Sequence, residues 1–287
     1  MPAPERYAVI GHPISHSLSP RIHTLFAAQT GRALRYEAID VLPEQLAMAV
    51  RAFFAGGGRG LNVTLPHKQA VLGLLSRCSE AASHARAVNT LWSDAEGALV
   101  GDNTDGIGLV RDLQQNLGVP VAARRLLLLG AGGAARGVLG PLLALAPREL
   151  VIANRDVARA EVLAAVAHDA GSIPVRAIAL SALGQDTPPG QSGTAGFDLI
   201  LNATSTSLSN ELPPLSPRLF GPGAVCYDLA YALHETSFVR WARHHGASAA
   251  HDGLGMLVEQ AAEAFHLWHG VRPDTAPVLA ALRSQTQ

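Results

Sequence analysis

RRLLLLGAGGAARGVLGPLLAL, residues 124–145, decides the fold. Leu126 to Leu129 is an apolar run of strand length, and Gly130, Gly132 and Ala135 then fall into a GxGxxA spacing where the chain enters a helix. The glycines permit a tight turn and close approach of a pyrophosphate to backbone N–H groups, and a helix N-terminus favours that negative charge. A strand before the glycines and a helix after them is the context this reading requires.

ELVIAN, ending at Asn154, follows as the next strand. A dinucleotide site for NAD ordinarily ends this strand on a carboxylate that binds the ribose hydroxyls. Here Asn154 and Arg155 hold the position, and Arg159 lies four residues on, on the same helical face. Arginine pairs with a 2′-phosphate, so NADP is the expected cofactor, while Asp156 argues the other way by setting a negative charge beside that phosphate. Val175 to Leu180, FDLILNAT and AVCYDLAY read as further strands, with Asn202, Thr204 and Asp228 at their ends, where parallel sheets bind ligands. Residues 181–196, SALGQDTPPGQSGTAG, read as a mobile surface loop.

The first hundred residues repeat the alternation of strand and helix: Tyr7 to Ile10, a helix capped by Ser19 with Pro20 in its first turn, Leu34 to Asp40, Glu44 to Ala55 and Gly60 to Val63. A second mostly parallel sheet is expected. It delivers LNVTLPHK, residues 61–68, in which Asn62 and Thr64 point the same way and Pro66 is expected to open a helix with Lys68 in its first turn. Lys68 is the only lysine among 22 lysines and arginines. An arginine-biased composition with one leftover surface lysine would give the same count. A desolvated lysine, however, can release a proton near neutral pH and arginine cannot. Ser15 and Ser17 sit in the loop after the first strand, as ligand hydroxyls or as part of a helix start. Asn89 interrupts an expected strand from Ala87 to Trp92, the first arm of a hairpin turning at Asp94 to Gly97. Asp105, in GDNTDG, is placed either for a ligand or as N-cap of a helix from Ile107 to Leu117. Near the C-terminus, Leu257, Ala261, Phe265 and Trp268 make one apolar helical stripe, with Gln260 either reaching back to the ligand or solvated.

Composition narrows the classes. Hydrophobic residues make up 48% and charged residues 16% of 287, as in a well-buried globule of one or two domains. A formal net charge of −1 with no basic run argues against a nucleic-acid partner. No apolar run approaches the length of a membrane span, and the first residues lack an apolar signal core. Cys78 and Cys226, far apart, read as reduced, buried thiols of a cytoplasmic enzyme with a small-molecule substrate. His12 and His16 flank Pro13 with no third ligand spaced nearby, and Asp102 with Asp105 lacks the calcium-loop pattern, so no metal is expected.

SHSLSP, NVTLPHK, AVNT, DNTDG, GAGGAA, NR, NATS and DGLGMLVEQAAEAF, in that order, closely resemble the shikimate dehydrogenase family over nearly the whole chain. The resemblance implies an α/β protein of two domains. One is an N-terminal, mostly parallel substrate domain, residues 1–105, completed by C-terminal helices in 253–287; the other is a Rossmann-type NADP-binding domain, residues 106–252. It implies reversible reduction of 3-dehydroshikimate to shikimate with NADPH, in chorismate and aromatic amino-acid biosynthesis, by a monomer or homodimer. Lys68 with Asp105 matches the catalytic pair. Ser15, Ser17, Asn62, Thr64, Asn89, Asp105 and Gln260 match substrate-binding positions, joined by Tyr231 toward the nicotinamide end. Gly130, Ala131, Gly132, Gly133, Ala134, Asn154, Arg155 and Arg159 match cofactor positions, with Thr204, Leu229, Gly253 and Met256 beside them. Thr24, Asp156 and Ser207 depart from the family's usual asparagine, threonine and glycine. A quinate/shikimate dehydrogenase using NAD or NADP is the near alternative, and a non-catalytic NADP-binding regulator the distant one.

Overall fold

A computed structural model describes residues 3–170, 173–183, 196–204, 206, 211–213, 215–232 and 234–284. The chain divides into two compact units, Met1–Gly108 with Leu257–Gln287, and Leu109–Met256.

In the first unit β1 (Glu5–Gly11), α1 (Ser19–Thr30), β2 (Leu34–Asp40), α2 (Leu46–Ala55) and β3 (Gly58–Val63) form a parallel core with β1 between β2 and β3. The short β4 (Arg77–Cys78) and α3 (Glu80–Ala85) lead to the hairpin of β5 (Thr90–Ser93) and β6 (Leu99–Asp102), which adds antiparallel pairing. Strand order is β2-β1-β3-β5-β6-β4. Ala8 and Ile10 of β1 pack into one core and Tyr7 and Val9 into another, because successive side chains leave a strand on opposite faces. From this sheet α4 (Asp105–Arg111) leads into the second unit.

There β7 (Arg125–Leu129), α5 (Gly133–Ala144), β8 (Glu149–Asn154), α6 (Val157–Ala170), β9 (Val175–Ala179), β10 (Phe197–Asn202), β11 (Phe220–Asp228), α7 (Ser237–His244) and β12 (Ala249–His251) alternate. All sheet pairings are parallel and the order is β12-β11-β10-β7-β8-β9. This is the order of a doubly wound dinucleotide fold, whose direction reverses between β7 and β10. Leu126 and Leu128 face one core and Leu127 and Leu129 the other, which is why this strand reads as an unbroken apolar run. Helix α8 (Leu254–His269) starts in this unit and ends in the first, where α9 (Ala276–Arg283) follows.

Several local expectations need correction. Ser19 is the first residue of α1 and not its cap; Leu18 holds the N-cap position without a side-chain bond, and Ser17 Oγ accepts from the Ser19 N–H at 3.3 Å. No helix opens at Pro66. The Leu65–Pro66 peptide is cis, the Thr64 carbonyl accepts from the His67 N–H at 2.9 Å, and a 3₁₀ stretch follows only at Ala70–Leu74. The Lys68 carbonyl accepts from Val88 N–H at 2.8 Å, so the acceptor a helix would need is taken by a segment twenty residues on, just ahead of β5. Asn89 lies one residue ahead of β5, and Asp105 is the first residue of α4, its own N–H donated to Asn103 Oδ1 at 3.1 Å. In place of a single stripe, α8 buries Val258, Glu259, Gln260, Ala261, Ala262, Ala264 and Phe265, nearly all round. Most of the expected loop at 181–196, and Ser207, lie outside the described residues.

Candidate active site

Lys68 reaches Asp105 in the first unit: Nζ donates to Oδ2 at 2.6 Å, with the two side chains 14% and 6% exposed. The loop that carries Lys68 is pinned by its neighbour, since buried His67 donates through Nε2 to the Val41 carbonyl at 2.7 Å. On the other side of the carboxylate, Asn89 Nδ2 donates to Asp105 Oδ1 at 2.9 Å. The same amide nitrogen lies 3.0 Å from Thr104 Oγ1 and 3.2 Å from Gln260 Oε1. Gln260 is oriented by its own bond, Nε2 to the Leu257 carbonyl at 2.8 Å.

Behind Asn89 stands Asn62, which donates from Nδ2 to the Asn89 carbonyl at 3.0 Å and to Thr90 Oγ1 at 3.1 Å. Its Oδ1 accepts from Tyr36 Oη at 2.7 Å. Burial holds the Tyr36 hydroxyl far above the ordinary tyrosine range, so it stays protonated as a donor. Both Asn62 N–H groups are therefore engaged, and what it can still offer a ligand is acceptance at Oδ1. Beneath Tyr36, His23 stacks at 4.2 Å between ring centroids with planes 5° apart.

Ser15, Ser17 and Thr64 do not join this network. Among the described residues the hydroxyls of exposed Ser15 and half-buried Thr64 carry no hydrogen bond, whereas Ser17 is occupied at the start of α1. Thr24 is exposed and bonds the Pro20 carbonyl at 2.8 Å. Tyr36, Thr90 and Thr104 were not anticipated from sequence. Threonine beside each of Asn89 and Asp105, in NT and NTD, is the signal that could have found two of them.

The second unit presents a different arrangement. Gly130 follows β7 at φ +100°, against the backbone just beyond β10: a Cβ there would lie 3.0 Å from the Ala203 carbonyl carbon. Gly132, the N-cap of α5, has nothing within 4 Å of where its Cβ would stand, and Gly133 and Ala134, which begin the helix, are half-buried. Ala131 between them is buried. Asn154 ends β8 and donates to the Asp156 carbonyl at 2.9 Å. The Asp156 carboxylate accepts the Ala158 N–H at 3.1 Å, at the start of α6. Arg155 and Arg159 are exposed, and among the described residues neither has a side-chain partner. These groups fit a phosphorylated dinucleotide: an open helix N-terminus for a pyrophosphate and two unpaired guanidinium groups for a further phosphate.

At the ends of β10 and β11, Asn202 and Asp228 are fully buried and bonded at 3.2 Å. Thr204 is held by Asn202 Oδ1 at 2.7 Å and Thr206 at 2.7 Å. The Leu229 N–H donates to the Asn202 carbonyl at 2.9 Å, and Gly253 packs so closely on the Leu229 carbonyl that a Cβ has no room. The buried Met256 N–H donates to Tyr227 Oη at 3.3 Å, and Tyr231 lies half-buried beyond the end of β11. Among the described residues no group of three or more His, Cys, Asp or Glu could hold a metal ion, and no helix is long and apolar enough to cross a membrane.

A doubly wound sheet opening on a glycine turn, in a chain that also buries an amine–carboxylate pair, defines the class of dinucleotide-dependent oxidoreductases. Comparison with known proteins makes it specific. The model of the shikimate dehydrogenase substrate binding domain matches residues 9–91, and that of the shikimate 5′-dehydrogenase C-terminal domain matches 253–283. A protein of Methylococcus capsulatus named shikimate dehydrogenase (NADP(+)) is 56% identical over 99% of this chain and 98% of its own. An Ael1 enzyme from Pseudomonas putida is 47% identical, with a TM-score of 0.85 over 97% of this chain and 98% of that one. Shikimate 5-dehydrogenase of Thermus thermophilus, solved with NADP(H) and shikimate, is 33% identical, with a TM-score of 0.82 over 98% and 99%. The chain belongs to the shikimate dehydrogenase family.

Proposed function

We propose that this protein reversibly reduces 3-dehydroshikimate to shikimate with NADPH, a step of chorismate and aromatic amino-acid biosynthesis. One observation carries the reading: the chain's only amine side chain lies 2.6 Å from a carboxylate that an amide holds from its other oxygen. Residues 1–105 with 253–287 act as substrate domain and 106–252 as NADP domain, in keeping with compact units that join at Gly108/Leu109 and Met256/Leu257.

Oxidising the alcohol requires its hydroxyl proton to leave as hydride departs from the same carbon. Lys68 takes that proton and returns it in the reverse direction. Asp105 accepts from Lys68 at Oδ2, orients the amine and binds a ring hydroxyl; Asn89 and Gln260 hold the carboxylate's surroundings. The free hydroxyls of Ser15 and Thr64, with Ser17, bind the substrate's polar rim, Asn62 accepts from a ligand hydroxyl, and Tyr231 contributes from beyond β11. NADP, when bound, supplies hydride exchange. Gly130 to Ala134 hold its pyrophosphate, Asn154, Arg155 and Arg159 its adenosine phosphate, and Thr204, Leu229, Gly253 and Met256 line its nicotinamide end. The Asp156 carboxylate spends its charge on the N-terminus of α6, which lessens its conflict with a 2′-phosphate. The protein works in the cytoplasm as a monomer or homodimer; both thiols are free, which suits a reducing compartment, and Cys226 is buried as expected whereas Cys78 is exposed.

Steady-state rates with shikimate and with quinate, each with NADP and NAD, test the reading. The expected result is a kcat/KM for shikimate with NADP exceeding every other pairing by about tenfold or more. Equal rates on quinate, or preference for NAD, would assign the broader activity, and no rate with any pair would leave a non-catalytic dinucleotide binder.

A further inference from the structure

Two side-chain amides stand in series behind the acid–base pair, and backbone groups fix the direction of each. The Thr104 N–H can only donate, and it meets Asn89 Oδ1 at 2.9 Å. The nitrogen of that amide is thereby turned toward Asp105 Oδ1. The Asn89 carbonyl can only accept, and it takes Asn62 Nδ2 at 3.0 Å, which turns Asn62 Oδ1 toward Tyr36. Between the two amides stands one hydroxyl. Thr90 Oγ1 accepts from Asn62 Nδ2 at 3.1 Å and gives its single proton to Asn89 Oδ1 at 2.9 Å. Thr104 Oγ1, 3.5 Å from the Thr90 hydroxyl, also reaches Asn89 Oδ1 at 3.2 Å but makes no bond to Asn62, so among the described residues Thr90 alone joins the two amides through a side chain. Thr90 is fully buried, so solvent does not reach the gap.

We propose that Thr90 is a positioning residue for the reaction: its hydroxyl couples the Asn62 and Asn89 amides, so that Asn89 presents its nitrogen to Asp105 and holds the carboxylate square to Lys68. Thr90 bonds neither Lys68 nor Asp105. Its effect passes through Asn89, and the inference rests on the acid–base role assigned above. Valine has nearly the shape of threonine and no hydroxyl. In its place one Asn62 N–H would point at a methyl group, and Asn89 Oδ1 would lose one of its three donors, keeping the Thr104 N–H and hydroxyl. A buried network with an unmatched member rearranges to find partners, and the nearest rearrangement is movement of Asn89 away from Asp105.

The test is steady-state shikimate oxidation by the full-length protein and by Thr90→Val, Thr90→Ser and Thr90→Ala, with thermal melts of each. Loss of the hydroxyl is expected to lower kcat about 10-fold to 100-fold while KM for NADP⁺ stays within about twofold, and serine is expected to restore kcat to within about threefold. Alanine gives the same readout should valine not fold. Wild-type kcat in a folded variant lacking the hydroxyl overturns the proposal, as does serine as impaired as valine, which would assign the effect to packing of the methyl group. A wild-type protein that does not oxidise shikimate overturns the acid–base reading itself, a result separate from any comparison among the variants.

Discussion

The two units bind polar chemistry in opposite ways. In the first, the polar groups that gather are side chains buried among one another: Lys68, Asp105, Asn89, Asn62, Thr90 and Gln260 satisfy their hydrogen bonds mainly within the set. In the second, the groups we assign to a ligand are backbone N–H at a helix start with open space beside Gly132 and two exposed arginines without a side-chain partner among the described residues. A side-chain network fails when one functional group changes, even if shape is kept. A backbone cradle is indifferent to most functional groups and fails when a Cβ enters it. The units should therefore respond to different kinds of substitution, and each response can be measured separately.

The largest effect belongs to Lys68→Arg. Guanidinium keeps the charge and can still pair with Asp105, but it does not give up its proton near neutral pH. We expect kcat for shikimate oxidation to fall by about 10³-fold or more, with shikimate affinity, read by calorimetry, changed by less than about tenfold. Turnover within about tenfold of wild type would mean that the amine is not the acid–base group.

Gly130→Ala probes the other side. The change adds one methyl and no chemistry, yet it places an L-residue at φ +100° with its Cβ 3.0 Å from the Ala203 carbonyl carbon. Strain of this kind costs on the order of 1–3 kcal/mol, and it is relieved only by moving the turn that carries the helix start. NADP⁺ affinity is expected to weaken by about tenfold or more while shikimate binding shifts less than about twofold. A variant that keeps its NADP⁺ affinity would show that the turn is not the phosphate cradle.

The same contrast explains what could be read from the chain in advance. The glycine turn was legible because a backbone conformation at φ +100° selects its residue locally, and the four leucines of β7 were legible because both faces of that strand are covered. Lys68, Asn89 and Asp105 stood out by type, as polar groups in unusual company. Their orientation did not, because it comes from bonds spanning 15 to 171 positions. Lys68 was expected in a helix on the strength of Pro66, a local rule, and a distant N–H, that of Val88, decided otherwise. Helix α3 could have been found: Ser79 ahead of Glu80 is a local N-cap signal, and its side chain accepts the Ala82 N–H.

The smallest expected effect concerns stability and comes from the floor of the first unit's network. His23 is fully buried against Tyr36, Phe26, Phe265 and Trp268, and neither ring nitrogen has a protein partner among the described residues. Burial, with a smaller contribution from nearby His269 and partly offset by the adjacent Asn62 side chain, pushes its pKa down from 6.5 to about 3. The folded protein therefore keeps His23 neutral, whereas the unfolded chain takes up a proton as pH falls through about 6.5. Stability is present in full above that range and is lost progressively as pH drops toward 3, at up to about 1.4 kcal/mol per unit. His23→Leu removes the titrating group and fills similar space with apolar atoms. Measured by denaturant unfolding at pH 7 and pH 5, wild type should lose about 2 kcal/mol more than the variant. An equal loss in both would mean that the ring is protonated, and partnered, in the folded state. The network above it would then rest on a charged floor, and the contrast between a self-satisfied side-chain cluster and an open backbone cradle would have to be redrawn with Tyr36 and Asn62 answering to that charge.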